Sequence, residues 1–415
     1  MAASNIDQIV HVLIILFILN ETEIEYYCVC KAYNRIQNML EARGCDDVER
    51  MKAGIIGCGN ISAVYLENLQ NSPLIEVVAV ADLLEERAKA RANEFNIENA
   101  YKVDELLRQP EIELVFNLTV PGSHALTDMA ILEAGKHVYS EKPLAVSLED
   151  GKRVLDLAKA KNLRVGCAPD TFLGAGIQTA RYAIQNGMIG QPVAATAFFM
   201  GRGPEWWHTD PEFFYVAGGG PMFDMGPYYL TSLIHVLGPI RRISSSVGIQ
   251  IPDRYIHSGP KSGTPLRVQT PTHLTGTMDF HNGAIVTLIA SFDIQGATDL
   301  PRIEIYGTEG TLSLPDPNFF NGDVKLRRSG EETAELVEPL FECGKNERGI
   351  GAGEMVRAIR SEKNHRANVE LAYHVLEAMH AFQRSSLEGK HITLESTFEP
   401  DEDLYHGTDI TIHPS

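Results

Sequence analysis

Several groups of residues in this 415-residue chain have types and spacings suited to chemistry. One is Gly57-Cys58-Gly59-Asn60-Ile61-Ser62, directly after the apolar run Ala53–Ile56. Gly57 permits a tight turn from strand to helix, and Gly59 lets the amides around Asn60 and Ile61 approach a pyrophosphate at the helix N-terminus. Ser62 stands where a third glycine is usual and is small enough for close packing of helix on strand. Such a turn also arises for steric reasons alone, so its context matters. Asp82 lies 25 positions beyond Gly57 at the end of the next apolar run. There its carboxylate can accept hydrogen bonds from the ribose hydroxyls of NAD and repel a 2′-phosphate. Arg87 is close enough to soften that preference, so NAD is expected and NADP stays open.

A second group is Thr119-Val120-Pro121-Gly122-Ser123-His124, a loop at the carboxyl edge of the third long strand. Open α/β sheets bind ligands at that edge, so Thr119, Pro121 and His124 are candidates to line the nicotinamide. The alternative for His124 is an ordinary residue at the start of a helix. Next comes Glu141-Lys142-Pro143, where a strand runs into a stiff turn. A lysine held at a ligand edge beside a carboxylate can set its ammonium against a substrate hydroxyl, and nearby charge retunes its pKa. Asp224 and Tyr228 are four residues apart. If a helix begins near Phe223, they share one face and can point together into a cleft. Otherwise Tyr228 and Tyr229 are core aromatics and Asp224 is a cap.

Both tryptophans fall in Glu205-Trp206-Trp207-His208-Thr209-Asp210. Aromatic faces stack on sugar rings, and Glu205, His208 and Asp210 are suited to hydroxyls. The competing reading is a loop anchored by two buried indoles. Asp170 follows the last strand of the first half and is expected to face the same cleft and touch substrate. No other His, Asp or Glu lies at helical ligand spacing from His208, so no metal site is expected.

Elements able to position these groups are legible in the hydrophobic pattern. From Lys52 onward, short continuous apolar runs alternate with amphipathic stretches, which argues for buried parallel strands joined by helices. The predicted strands are Ala53–Ile56, Ile75–Ala81, Leu114–Thr119, His137–Ser140 and Arg164–Ala168. The predicted helices are Ala63–Leu69, Glu85–Glu94, Ala125–Ala134 and Leu148–Lys161, with Ser147 as an N-cap and Gly135 as a stop. From about Phe172 the pattern becomes strands joined by short turns: Val193–Met200, Ile243–Ile251, Leu274–Phe280, Ala284–Phe292, Ile303–Tyr306 and Thr311–Leu314. Turns at His281–Ala284 and Gly307–Gly310 are expected to use positive φ in an antiparallel sheet. Val369–Phe382 reads as a helix and His391–Leu394 as a last strand. The expected organisation is an appended segment 1–50, a dinucleotide lobe 51–171, a sheet lobe 172–365, a returning helix and strand 366–396, and a tail 397–415.

A net charge of -19 disfavours nucleic acid and anionic membranes as partners. Six cysteines without doubled C-x-x-C spacing suggest free thiols in a reducing, cytoplasmic setting. The apolar run Ile9–Leu19 is too short to span a bilayer, and the start lacks the basic residues of a secretory signal. Met51 is expected to be the natural start.

Taken together, the glycine turn, Asp82, the Pro121/His124 loop and above all Glu141-Lys142-Pro143 resemble the Gfo/Idh/MocA family of oxidoreductases. The likeness spans Lys52 to about Ser396. It implies a Rossmann domain followed by a large, open, mostly antiparallel sheet through which copies pair as dimers or tetramers. It implies that Glu141 and Lys142 lie at the nicotinamide and that Asp224 and position 228 stand beside the lysine. Position 228 is commonly histidine in the family, whereas here it is Tyr228. An ordinary phenol has a pKa of about 10, so Tyr228 needs a neighbouring cation to act as a base, and Lys142 is suited to that. The implied activity is hydride transfer between NAD(P) and a sugar, glycoside or cyclic polyol. The alternatives are a reductase of a non-sugar imine or carbonyl, or a non-catalytic dinucleotide or sugar sensor.

Overall fold

A computed structural model describes residues 49–296 and 298–398. The run Ile9–Leu19, three of the cysteines and nearly all of the tail lie outside the described residues.

Six parallel strands form the first sheet: β1 (Met51–Ile56), β2 (Ile75–Ala81), β3 (Asn99–Tyr101), β4 (Leu114–Asn117), β5 (His137–Ser140) and β6 (Val165–Cys167). Their order is β3-β2-β1-β4-β5-β6, so the winding direction reverses between β1 and β4. That switch point opens a crevice at the carboxyl ends of the strands. The central strands β1 and β4 are almost wholly buried, which is why their sequences are nearly continuously apolar. Helices α1 (Asn60–Leu69), α2 (Glu85–Phe95), α3 (Val103–Leu107), α4 (His124–Glu133) and α5 (Leu148–Lys161) connect them. Ser147 caps α5 by accepting a hydrogen bond from the Asp150 amide at 3.1 Å. β3 and α3 escaped the sequence reading, being only three and five residues long.

Gly57, at φ 103°, sits at the switch point. A Cβ there would lie 2.5 Å from the Leu118 carbonyl carbon, so only glycine lets the two strand ends approach.

Helix α6 (Ala175–Gln185) follows, in a stretch to which the sequence pattern assigns no element. Its apolar stripe is masked because Gln178, Thr179 and Arg181 are buried too; Gln178 Nε2 donates to the Phe172 carbonyl at 2.9 Å. Then come β7 (Pro192–Met200), α7 (Gly220–Asp224), α8 (Gly226–Leu237), β8 (Ile240–Gly248), β9 (Asp253–Tyr255), β10 (Pro265–Arg267), β11 (His273–Phe280), β12 (Ile285–Ser291), β13 (Ile303–Gly307), β14 (Gly310–Leu314), β15 (Lys325–Arg328), β16 (Glu335–Leu336), α9 (Ile350–Arg360), α10 (Val369–Glu388) and β17 (Ile392–Thr393). Nine of these strands form one sheet, ordered β16-β15-β14-β13-β7-β12-β11-β8-β17. Every pairing is antiparallel except β7 with β12. β9 and β10 form a separate ribbon. Gly283 has the expected positive φ, but Gly307 and Gly310 do not. Glycine is needed at those two positions for space instead: a Cβ on Gly307 would lie 2.1 Å from the Ile189 carbonyl oxygen.

Helix α10 returns across β8 and α5, so the two sheets share one apolar core. Among the described residues no helix is long and apolar enough to cross a membrane.

Candidate active site

β5 delivers Glu141 and Lys142 to the carboxyl edge of the parallel sheet. The Glu141 amide donates to the Asn117 carbonyl at 2.9 Å, which carries the strand register one residue further. Glu141 is buried; its Oε1 accepts from Tyr65 Oη at 2.8 Å and its Oε2 from the Lys142 amide at 3.0 Å. The lysine side chain reaches the other lobe. Lys142 Nζ donates to the Asp224 carbonyl oxygen at 2.7 Å and to its Oδ1 at 3.1 Å, and lies 5.2 Å from the centre of the Tyr228 ring. Burial works against the ammonium, but Tyr228, Asp224 and Glu141 outweigh it and hold its pKa above the usual lysine range.

Asp224 and Tyr228 do not share one helix as expected. α7 ends at Asp224, Met225 (φ -109°, ψ -23°) separates the elements, and Tyr228 lies in the first turn of α8. The break leaves the carbonyl at the end of α7 without a helical partner, and Lys142 takes it together with the carboxylate. Pro227, with no N–H to lose, fits the start of α8. Both side chains still meet the same ammonium.

Arg348, just before α9, is the functional candidate that sequence reasoning missed. Its guanidinium donates to Asn346 Oδ1 at 2.9 Å and Asn318 Oδ1 at 3.0 Å. Burial disfavours its charge, but Tyr228 and Glu141 more than offset this and raise its pKa.

Asp170 was expected to touch substrate, and the structure overturns this. It is 1% exposed, and its Oδ2 accepts from Tyr139 Oη at 2.9 Å and from the amides of Gly349 and Gly351 at 2.9 and 3.1 Å. His124 is likewise corrected: fully buried, it braces the loop instead of facing a ligand. Its Nδ1 lies 2.7 Å from the Pro143 carbonyl and its Nε2 3.0 Å from that of Thr119, while burial lowers its pKa. Thr119 Oγ1 donates to Asn117 Oδ1 at 2.7 Å, and Pro121 opens a short 3-10 turn.

Below this brace, Asn117 Nδ2 donates to Asp128 Oδ1 at 2.7 Å. Burial pushes the Asp128 carboxyl up to about 7 against the hydrogen bond from Asn117. An unfolded Asp titrates near ~3.9, so between the two values the folded chain holds a proton that the unfolded chain has released. This group's contribution to stability therefore falls as pH rises from about 4 through about 7. Asp128→Asn should gain in urea midpoint relative to wild type as pH is raised across that window. Parallel pH profiles would contradict the assignment.

The glycine turn fits a dinucleotide. Asn60 and Ile61 open α1, and the Cβ direction of Gly59 meets nothing within 4 Å, leaving room for a phosphate at the helix N-terminus. Asp82 stands at the rim; its Oδ2 accepts from the Cys58 amide at 2.8 Å and its Oδ1 from that of Leu84 at 2.9 Å, with lone pairs to spare for ribose hydroxyls. Arg87 is exposed in the first turn of α2.

The aromatic loop divides. Trp206 stacks on His257 with centroids 3.8 Å apart and has the Arg202 guanidinium 4.6 Å from its centre, whereas Trp207 is 66% exposed beside His208. Glu205, expected to bind hydroxyls, is instead a core residue ion-paired with buried Arg254, which also pairs with Asp293. The next segment, Pro211–Tyr215, packs against α7. Among the described residues no cluster of His, Cys, Asp or Glu is suited to a metal.

A Rossmann-type sheet with a phosphate-ready turn, and an ammonium meeting an acid and a phenol at its edge, define a nicotinamide-dependent oxidoreductase. Residues 51–168 match the oxidoreductase family with NAD-binding Rossmann fold, Gfo/Idh/MocA, and residues 177–313 match the Gfo/Idh/MocA C-terminal domain. The chain belongs to this family, and NAD is its cofactor. It is 26% identical over 293 residues to inositol 2-dehydrogenase/D-chiro-inositol 3-dehydrogenase of Lacticaseibacillus casei, covering 68% of this chain and 77% of that protein. It is 28% identical over 297 residues to 1,5-anhydro-D-fructose reductase of Ensifer adhaerens, covering 69% and 83%. The apo structure of levoglucosan dehydrogenase superposes with a TM-score of 0.74 at 21% identity, over 85% of this chain and all of that one.

Proposed function

We propose that this enzyme transfers hydride between NAD and a hydroxyl or carbonyl carbon of a sugar, glycoside or cyclic polyol. The observation that carries the reading is the reach of Lys142 Nζ across the lobes to Asp224, at 3.1 Å, and to the Tyr228 ring. The named activities of the relatives support the sugar or polyol class.

When bound, NAD supplies the two-electron acceptor. Lys142, kept charged by its neighbours, donates to the substrate oxygen and fixes the reacting carbon. Tyr228 takes the hydroxyl proton during oxidation and returns it during reduction. Asp224 orients the ammonium. Gly57, Gly59, Asn60, Ile61 and Asp82 hold the dinucleotide, with Thr119, Pro121 and Glu141 shaping the nicotinamide end. Trp207 and His208 are the sugar-facing part of the aromatic loop, with Trp206 fixed behind them by His257. We assign 51–171 to the cofactor lobe and 172–365 to the substrate lobe. Copies pair through the sheet, where the partnered Phe198 and Ile289 stay only partly buried.

The test is the absorbance of reduced nicotinamide with myo-inositol, levoglucosan and D-glucose plus NAD, and with 1,5-anhydro-D-fructose plus NADH. Saturable turnover with at least one is expected. Turnover confined to imines or linear hydroxy acids would overturn the substrate class.

A further inference from the structure

The ribbon β9–β10 stands outside the large sheet and packs on Pro211–Tyr215, the segment that follows the aromatic loop. Arg254, the middle residue of β9, is at the centre of the contact. Its side chain is 2% exposed and ion-paired with those of Glu205 and Asp293, 3% and 4% exposed. The guanidinium also donates to the Phe292 carbonyl at 2.9 Å and, through Nε, to that of Ile251 at 3.2 Å, while Tyr215 Oη donates to the second oxygen of Glu205. Asp293 is fixed in turn, its Oδ2 accepting from Thr272 Oγ1 at 2.8 Å and from the Gln250 amide at 3.1 Å. Phe214, Tyr215, Ile256, Leu266 and Phe292 form a small core of their own around this network, with the Tyr215 ring 5.2 Å from the guanidinium carbon. Burying three charges is costly and adds little net stability, so the consequence of the network here is geometric: it allows the start of the aromatic loop one place.

The ribbon grips the loop at its surface as well. The His257 amide donates to the Glu205 carbonyl at 2.8 Å, and the His257 ring stacks on Trp206. Ser258 Oγ donates to the His208 carbonyl at 2.8 Å, and Lys261 Nζ bridges Asp210 and Glu212 at 2.8 and 2.7 Å. The loop so held abuts the reaction site. Pro211–Tyr215 packs against α7, which ends at Asp224, and a Cβ on Gly218 would lie 2.7 Å from the Val146 side chain, just beyond Lys142.

We infer that Arg254 is a positioning residue for substrate recognition: from β9 it locks Glu205, and the ribbon it anchors holds Trp207 and His208 in the place where they meet the polyol. This deepens the proposed function and rests on the aromatic loop facing the substrate. Loop ordering that is complete before binding need not be supplied by the substrate, so the clamp acts on polyol affinity. The lysine and phenol are held by other contacts, and the proton chemistry is left to them.

The experiment measures kinetics with saturating NAD and whichever of myo-inositol, levoglucosan or D-glucose wild type oxidises fastest. Arg254→Gln should raise the polyol KM about tenfold or more, with kcat and the dissociation constant for NAD changed less than about 3-fold. Arg254→Lys, which keeps the charge and loses the fork, should fall between the two. His257→Ala, at an exposed position outside the ion network, should raise the same KM about 5-fold, and it decides alone should Arg254→Gln not fold. Trp206 and Trp207 are the only tryptophans of the chain, so indole emission reports on this loop directly. In the NADH complex the emission should change on adding polyol, with a midpoint that rises in each variant by the same factor as KM. A KM within about 2-fold of wild type in the folded variants, a loss confined to kcat, or emission indifferent to a polyol that the enzyme oxidises would overturn the inference. No wild-type turnover with any of the three polyols would instead remove the reading on which it rests.

Discussion

Lys142→Met should lower kcat by about 10³-fold or more while changing the dissociation constant for NAD by less than about 3-fold. Methionine keeps an unbranched stem of similar length, so the path between the lobes stays filled while the ammonium is lost. That loss removes the donor proposed for the substrate oxygen, and one such donor in a water-poor site contributes about 10² to 10³ in rate. It also leaves the Asp224 carboxylate, now 3.1 Å from Nζ, without its counterion and without the group that fixes its direction. A factor of 10³ corresponds to about 4 kcal/mol of transition-state stabilisation. NAD affinity should survive because the phosphate and ribose contacts assigned to Gly59, Asn60, Ile61 and Asp82 lie at the other end of the crevice. Steady-state kinetics with a parallel NAD titration checks both halves. Full turnover in the variant would take Lys142 out of the chemistry.

Tyr228→Phe should cost about 10² to 10⁴ in kcat with little change in KM, the range expected when a positioned acid–base group is removed. The ring lies 7% exposed in the shared core, so phenylalanine refills its space and deletes only the hydroxyl. Tyr228→His provides the contrast. An imidazole accepts a proton near neutral pH without help from a cation, so this variant should retain more activity than Tyr228→Phe. If phenylalanine and histidine lose equally, the role of the tyrosine is packing.

What the sequence disclosed follows from which interactions are local. β2, β5 and α5 were predicted to the residue, because buried parallel strands and a serine-capped helix carry their patterns within a few positions. β3 and α3 are too short to show a period. The break at Met225 had one local signal, Gly226-Pro227, but four-residue spacing alone suggested one continuous helix. The proximity of Asp224 and Tyr228 was anticipated through family resemblance; its physical cause, a lysine binding a helix end, needed the coordinates. Asp170 was misread because its three donors include amides 179 and 181 residues away, which no window of sequence can contain. His124 was misread for a similar reason: both ring nitrogens face carbonyls of turns that looked like loop. Arg348 sits in a stretch without periodicity or motif, and only the docking of Gly349 and Gly351 onto Asp170 brings it to the site.

The central claim is that amine and phenol from opposite lobes close on one substrate oxygen. A crystal structure with NAD and the preferred polyol tests it directly. The reacting oxygen is expected within about 3 Å of both Lys142 Nζ and Tyr228 Oη, with its carbon facing the nicotinamide. A polyol seated in the crevice with that oxygen beyond reach of both groups would contradict it.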